Sequence, residues 1–509
     1  MPQRTTTLVL AIIGAIAVAF ASWKLHVARD GVIEEIVTIG HIPATVYRMP
    51  GTEKTPVVVI AHGFAGSEPL MASFAYTIAR NGLTAITFDY AGHGRNPKPL
   101  SGNITREDGA TRTLVSETEE VLAYARTIGD GRVALLGHSM ASDIIVRTAA
   151  QNPDVAATIA ISMFSPAVTR DTPKNLLIVV GDWEGMLKTE ALRVTSLVSA
   201  PEEAKPGVTY GDIAKGTARR AYFSSYAEHV GVLYRPESLR EAQRWLDQTF
   251  GLRCASKIEV AERGIWIALL FIGIALLAKP LTGFLPIVSP IRAGAGLAWK
   301  DLWLPIVLPA ILTPLILRPL PTQFLPVLVG DYLACHFAMY GLLTAACLWW
   351  TGNGLPDRSA ISAAAAKVAL ATAMLLALYA IGVVWPIHAE FTNFVPTAAR
   401  LPLILSMSAG TLIYFVADEW LTRGEGAGRG AYFASKVAFT TSLAIAVALD
   451  FERLFFLIII VPLIVLFFVF FGLISRWVYA RTHSPLVAGL ANAIAIAWAI
   501  GVVFPLVAA

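Results

Sequence analysis

Eight apolar stretches fill residues 264–509, and they limit what this chain can become. They lie near 264–278, 301–317, 324–350, 366–387, 401–421, 431–449, 454–475 and 485–507. Segments of this length and apolarity match the hydrocarbon core of a bilayer. A backbone with no water to bond must satisfy its own polar groups there, which selects helices. The whole chain of 509 residues is 55% hydrophobic and 15% charged, with mean hydropathy +0.61. That is too apolar for a soluble protein of this size. The net charge of +4 is small and dispersed, so no basic stripe for nucleic acid is present. Of the three cysteines, Cys335 and Cys347 fall in an apolar stretch and read as buried thiols, not as a disulfide framework.

Residues 7–23, TLVLAIIGAIAVAFASW, form a further apolar run at the N-terminus. It is long enough for a signal-anchor and also resembles a signal peptide, with Ala19-Phe20-Ala21 as a cleavage site. Either way the sequence after it is exported. The cationic residues agree. Ten lie on one set of connections (Lys279, Arg292, Lys300, Arg358, Lys367, Arg423, Arg429, Lys436, Arg476, Arg481) and three on the other (Arg318, Arg400, Arg453). The richer side is the inner one. The expected organisation is an N-terminal segment at 1–30, a folded domain at 31–252, a juxtamembrane linker at 253–263 and a polytopic membrane domain at 264–509. The folded domain is expected outside a bacterial inner membrane.

Residues 31–252 alternate short β-rich runs with amphipathic stretches, which predicts βα units and a mostly parallel sheet. ATVYRMP, PVVVIAHGF, LTAITFDY, RVALLGHS, AATIAIS, NLLIVVGD and RRAYFSSY read as strands, and 237–250 as a closing helix. Strand 132–136 runs into Gly137-His138-Ser139-Met140-Ala141, and a helical pattern starts at once. That is the strand–turn–helix setting in which a serine is exposed at a sheet edge.

On these residues the domain resembles an α/β-hydrolase. GHSMA matches the nucleophile elbow, with Ala141 where a second glycine is usual. AHGFAG at 61–66 resembles the oxyanion loop, and FDYAGHG at 88–94 the D-x-x-G-H-G turn. The resemblance implies Ser139 as nucleophile, His229 as base, and the backbone N–H groups of Phe64 and Met140 as oxyanion donors. The acid lies in LLIVVGDWEG. Its offset behind the strand favours Glu184, with Asp182 as the alternative. His138 is expected to shape the elbow, His62 and His93 to hold loops, and His41 to be a surface residue. The link from AATIAIS to NLLIVV is too short for a large lid, so an open site is expected.

In the membrane part, FVADEWLTRG at 415–424 carries Asp418, Glu419 and Arg423 at a span end. The run resembles the E-E-x-x-x-R-G signature of the CAAX-protease and bacteriocin-processing membrane family. The expected histidines are missing, and Ala488 and Asn492 stand in the last motif region, so the resemblance implies a degenerate relative. An i,i+4 pair of Glu419 and Arg423 is the simpler reading. Asp331 and His336 form a second polar pair of candidates.

The expected function is a membrane-bound serine hydrolase. It would act on an ester, thioester or related acyl bond of a lipid-like substrate near the bilayer, with membrane lipids as partners and neither a metal nor an organic cofactor. The alternatives are a lipid-binding or transport protein with a non-catalytic hydrolase-like module, and an intramembrane protease with an accessory domain.

Overall fold

A computed structural model describes all residues except 1, 103–106, 253–256, 355–357 and 509. The first four residues of the linker read from sequence, Cys254 among them, lie outside the described residues. The chain opens with α1 (Pro2–Val27), which is followed by a hairpin of β1 (Ile33–Ile39) and β2 (Ile42–Arg48). Next come β3 (Val57–Ala61), α2 (Ala72–Arg80), β4 (Thr84–Phe88), α3 (Arg112–Ile128), β5 (Val133–His138), α4 (Met140–Gln151) and β6 (Val155–Ile161). The domain closes with β7 (Leu176–Gly181), α5 (Gly185–Ser199), β8 (Thr209–Tyr210), β9 (Arg219–Ser224) and α6 (Pro236–Phe250).

The sheet order is β1-β2-β4-β3-β5-β6-β7-β9-β8. Strands β4, β3, β5, β6, β7 and β9 are parallel neighbours, while β1–β2, β2–β4 and β8–β9 pair antiparallel. The continuous apolar runs VVVIA and LLIVVG are buried at every position. This is what a sheet covered on both faces requires. All six parallel strands therefore end at one edge, where loops collect functional side chains.

The remaining chain is helical. Its elements are α7 (Gly264–Thr282), α8 (Trp299–Leu317), α9 (Gly330–Trp350), α10 (Arg358–Tyr379), α11 (Trp385–Glu390), α12 (Leu401–Thr422), α13 (Ala431–Leu449), α14 (Phe451–Leu454), α15 (Leu457–Thr482) and α16 (Pro485–Val503). Among the described residues nine helices, counting α1, are long and apolar enough to cross a membrane. Helix α9 begins at Gly330, six residues later than expected. Its first turn is preceded by Pro321 and Pro326, and Asp331 accepts the N–H groups of Phe324 and Leu325. The fourth span runs further than expected, from Ala363 to Glu390, through a π-helical turn at Ala380–Val384. Lys436 also departs from expectation. It lies inside α13, buried, and is not in an inner connection.

Helices α1 and α7 pack through glycines. A Cβ on Gly14 would lie 2.9 Å from the Gly273 carbonyl oxygen. Small residues allow such close backbone approach in apolar helix pairs.

The two halves are joined at the carboxyl edge of the sheet. The loop after β4 meets the last residues of the chain, where Leu506 N–H donates to Gly92 O (2.8 Å) and Leu100 N–H to Leu506 O (2.8 Å). Arg400 is buried and donates to Gly501 O, Phe504 O and Gly92 O. Gly92 has φ +77, and a Cβ there would lie 2.5 Å from Leu506 O. Glycine is thus needed at this contact for both conformation and space.

Candidate active site

Ser139 sits between β5 and α4 with φ 54 and ψ −118, a left-side conformation that costs a non-glycine residue energy. The turn is tight on both sides. A Cβ on Gly137 would lie 2.8 Å from Ala141 O, and one on Gly63 would lie 3.0 Å from the Ser139 Cβ. Ser139 N–H is fixed to Ile161 O at 2.9 Å, which leaves the side chain to project from the sheet edge.

His229 follows β9, in a loop at the same edge. Its Nε2 lies 2.8 Å from Ser139 Oγ, and its Nδ1 lies 2.6 Å from Glu184 Oε1. An ionised carboxylate only accepts, so Nδ1 carries the hydrogen and Nε2 accepts from the serine. The second Glu184 oxygen accepts from Gly181 N–H and Ser162 Oγ, both at 2.7 Å. Asp182 turns the other way. It pairs with Lys188 at 2.9 Å on an exposed stretch of the same loop. The structure therefore brings Ser139, His229 and Glu184 together and leaves Asp182 outside.

Ser162 escaped the sequence reading. Its position after β6 was the only signal, because its left-side φ of 52 appears only in three dimensions.

His138 Nε2 donates to His229 O at 2.8 Å, tying the elbow to the histidine loop. Burial, and then the neighbouring His229, push the His138 pKa down to about 3, so it stays neutral. His62 donates from Nδ1 to Gly63 O and accepts the Tyr90 N–H at Nε2. His93 donates to Ala91 O, and burial pushes it down to about 3. His41 differs from expectation: its Nε2 lies 2.7 Å from the buried Glu117, whose other oxygen accepts the Ala91 N–H. It braces the loop after β4 and is not merely a surface residue.

Met140 is the first residue of α4, so its N–H has no acceptor within the helix. Phe64 lies in the loop after β3, and its ring stacks on Phe456 of the helical half with centroids 4.4 Å apart. The same loop is bonded to the chain before α12. Ser67 Oγ lies 2.7 Å from Thr392 Oγ1 and accepts the Asn393 N–H at 2.7 Å. Asn393 Nδ2 donates to Asp89 at 2.9 Å, and Asp89 also accepts the N–H groups of Glu68 and Arg95. The contacts of Phe456, Thr392 and Asn393 with Phe64, Ser67 and Asp89 join residues more than 300 positions apart, so the sequence carries no local trace of them.

The two carboxylates at the end of α12 are matched within the helical half. Asp418 meets Lys436 and Ser435. Glu419 pairs with Arg423 at 3.0 Å and meets Ser475. Asp331 accepts the Tyr332 N–H in the first turn of its own helix, while His336 lies 3.4 Å from Tyr332 OH on that helix; the two do not bond each other. Ala488 is fully buried, and Asn492 accepts from Tyr379 OH at 2.7 Å. Among the described residues no group of three metal-ligating side chains converges.

Residues 56–232 match the family model described as alpha/beta hydrolase fold. A 2-(acetamidomethylene)succinate hydrolase of Mesorhizobium japonicum is 27% identical over 146 residues, which is 28% of this chain and 46% of that protein. A monoglyceride lipase homolog of Monkeypox virus is 26% identical over 145 residues, 28% of this chain and 50% of that protein. The chain thus spans half or less of the length of these relatives. A predicted CIB-like hydrolase of Thermoplasma acidophilum superposes with TM-score 0.34 at 17% identity, over 43% of this chain and 98% of that one.

Proposed function

From the α/β-hydrolase fold of residues 56–232, we propose that this chain is a membrane-bound serine hydrolase acting on acyl bonds. The observation that carries the reading is the unbroken relay from Ser139 through His229 to Glu184, at 2.8 Å and 2.6 Å. A serine hydroxyl is a poor nucleophile without a base placed to take its proton. Here Nε2 takes that proton as Oγ attacks the carbonyl carbon. Glu184 holds the imidazole in the required tautomer and stabilises the imidazolium that forms. The Phe64 and Met140 amides face the developing oxyanion. Collapse expels the alcohol or thiol, which receives the proton from Nε2, and leaves an acyl-serine. Water then repeats the sequence, with His229 again as base, and releases the acid and free Ser139.

The intramembrane-protease alternative is disfavoured. Asp418 and Glu419 are each paired with a cation and a serine, so neither is left to activate water.

The test is fluorophosphonate labelling of membranes carrying the full chain. Wild type should label, while Ser139→Ala and His229→Ala should not. Equal labelling of the Ser139→Ala protein, or no labelling of folded wild type, would overturn the reading.

A further inference from the structure

Four large apolar side chains are exposed on the edge of the sheet that carries Ser139. Phe164 is 64% exposed, Trp183 67%, Met186 85% and Tyr226 77%. They are not scattered. Phe164 follows β6, two residues beyond Ser162, which holds Glu184. Trp183 follows β7 beside Glu184, and Met186 lies in the first turn of α5. Tyr226 follows β9, three residues before His229. Backbone bonds knit the loops together, with Trp183 N–H on Ala227 O at 3.0 Å and Asp182 N–H on Ser224 O at 2.9 Å. The charged neighbours Asp182 and Lys188 neutralise each other at 2.9 Å. The result is an apolar rim beside the triad, interrupted by the exposed carboxylate of Glu228, which accepts the Val230 and Gly231 N–H groups. Isolated exposed apolar residues need no explanation, but a cluster beside a site does.

The same edge, two to five strands away, is already seated on loops of the helical half. The loops after β3 and β4 bond Thr392, Asn393, Arg400 and Leu506. Moving along the sheet from β4 and β3 through β5 to β6, β7 and β9 carries the edge beyond that seat. The bundle presents its own exposed aromatics near the seat, Phe451 and Phe455, on the segment whose Phe456 stacks on Phe64. Phenylalanine is apolar enough to enter a bilayer, so these rings extend the apolar surface of the bundle up to the seat.

We propose that Phe164, Trp183, Met186 and Tyr226 dip into the outer leaflet of the membrane that holds this chain's helices, so that Ser139 opens onto the bilayer surface. Its substrate is then an acyl ester of a bilayer lipid, which enters sideways from the leaflet. The substrate class rests on the serine-hydrolase reading above; the docking of the rim does not.

Two measurements on the full chain in phosphatidylcholine–phosphatidylglycerol nanodiscs test this. In the first, an environment-sensitive fluorophore is placed at Trp183→Cys in a chain whose three native cysteines are serine. Lipids doxyl-labelled near the headgroup should quench it strongly, as expected for a side chain about 5–10 Å into the interface. A probe at Lys54→Cys, before the amino end of β3, should not respond. Equal quenching at both positions, or none at 183, overturns the proposal, including the case where a second copy or another protein covers the rim.

The second compares wild type with a chain carrying serine at all four rim positions, with Ser139→Ala as blank. Hydrolysis of a diacylglycerol in the disc should fall about tenfold or more, while soluble p-nitrophenyl butyrate turnover stays within about twofold. A parallel loss of both, or of neither, overturns the lipid-substrate assignment. If wild type cleaves neither ester while the 183 probe is quenched, the serine-hydrolase reading falls, and with it the substrate class, while the docked rim stands.

Discussion

Asp182 and Glu184 are the same chemistry two residues apart on one loop. Only the direction of each side chain separates them. Glu184 spends one oxygen on His229 and the other on Gly181 N–H and Ser162 Oγ, whereas Asp182 spends its charge on Lys188 in solvent. Glu184→Gln should therefore lower kcat of ester hydrolysis by about 10³–10⁴-fold, because the amide stabilises the wrong tautomer. Asp182→Asn should change it by about twofold at most, as for an exposed ion pair. Steady-state kinetics on the full chain decide between them. The serine, the histidine and both acids were legible in the sequence as motifs in order. Ser162 was not, because the hydrogen bond that matters joins the ends of two different strands.

Among elements, the loop between β3 and α2 depends on distant chain. It supplies Phe64 and is held by Phe456 and Thr392, by the Asn393 N–H on Ser67, and through the Asn393 side chain on Asp89, which accepts the Glu68 N–H. An oxyanion donor works only if it is fixed before charge develops. Phe456→Ala and Asn393→Ala should each lower kcat by about tenfold, with KM little changed, because misplacement of reacting groups penalises the transition state selectively. Phe456→Tyr, which keeps the ring, should restore most of the rate. A fall in affinity for a boronate transition-state analogue that tracks the loss in kcat would identify the oxyanion loop as the cause. Unchanged kcat in both alanine variants would show that the loop holds its shape alone. Most strands and helices of both halves were readable from periodicity and run length. β1 and β8 were not read as separate strands, since one is largely exposed and the other is two residues long.

At the scale of the molecule, the sheet domain buries neutral imidazoles, His93 beside the Gly92–Arg400 contact and His138 against the His229 loop. His93 and His138 are both pushed down to about 3, by burial first. An unfolded chain would protonate them near the ordinary value of 6.5, so their contribution is complete above that pH. It is lost as pH falls toward 3, by about 1.4 kcal/mol per pH unit for each histidine. Thermal unfolding of the purified full chain should show stability declining below about pH 6.5, and His93→Asn should make that decline shallower even if it costs stability at neutral pH. An equal slope in wild type and variant would mean that His93 is not held neutral.

The sequence by itself determined the two-part organisation, the strand–turn–helix around Ser139 and the chain order of Ser139, Glu184 and His229. These depend on run length, periodicity and small residues at fixed offsets, all of which are local. The tertiary structure alone decided which carboxylate faces His229, that Lys436 neutralises Asp418, and that residues 392–393, 400, 456 and 506 of the helical half grip the loops beside Ser139. Such contacts are set by how two folded surfaces meet, and no periodicity along one chain records where a surface will land.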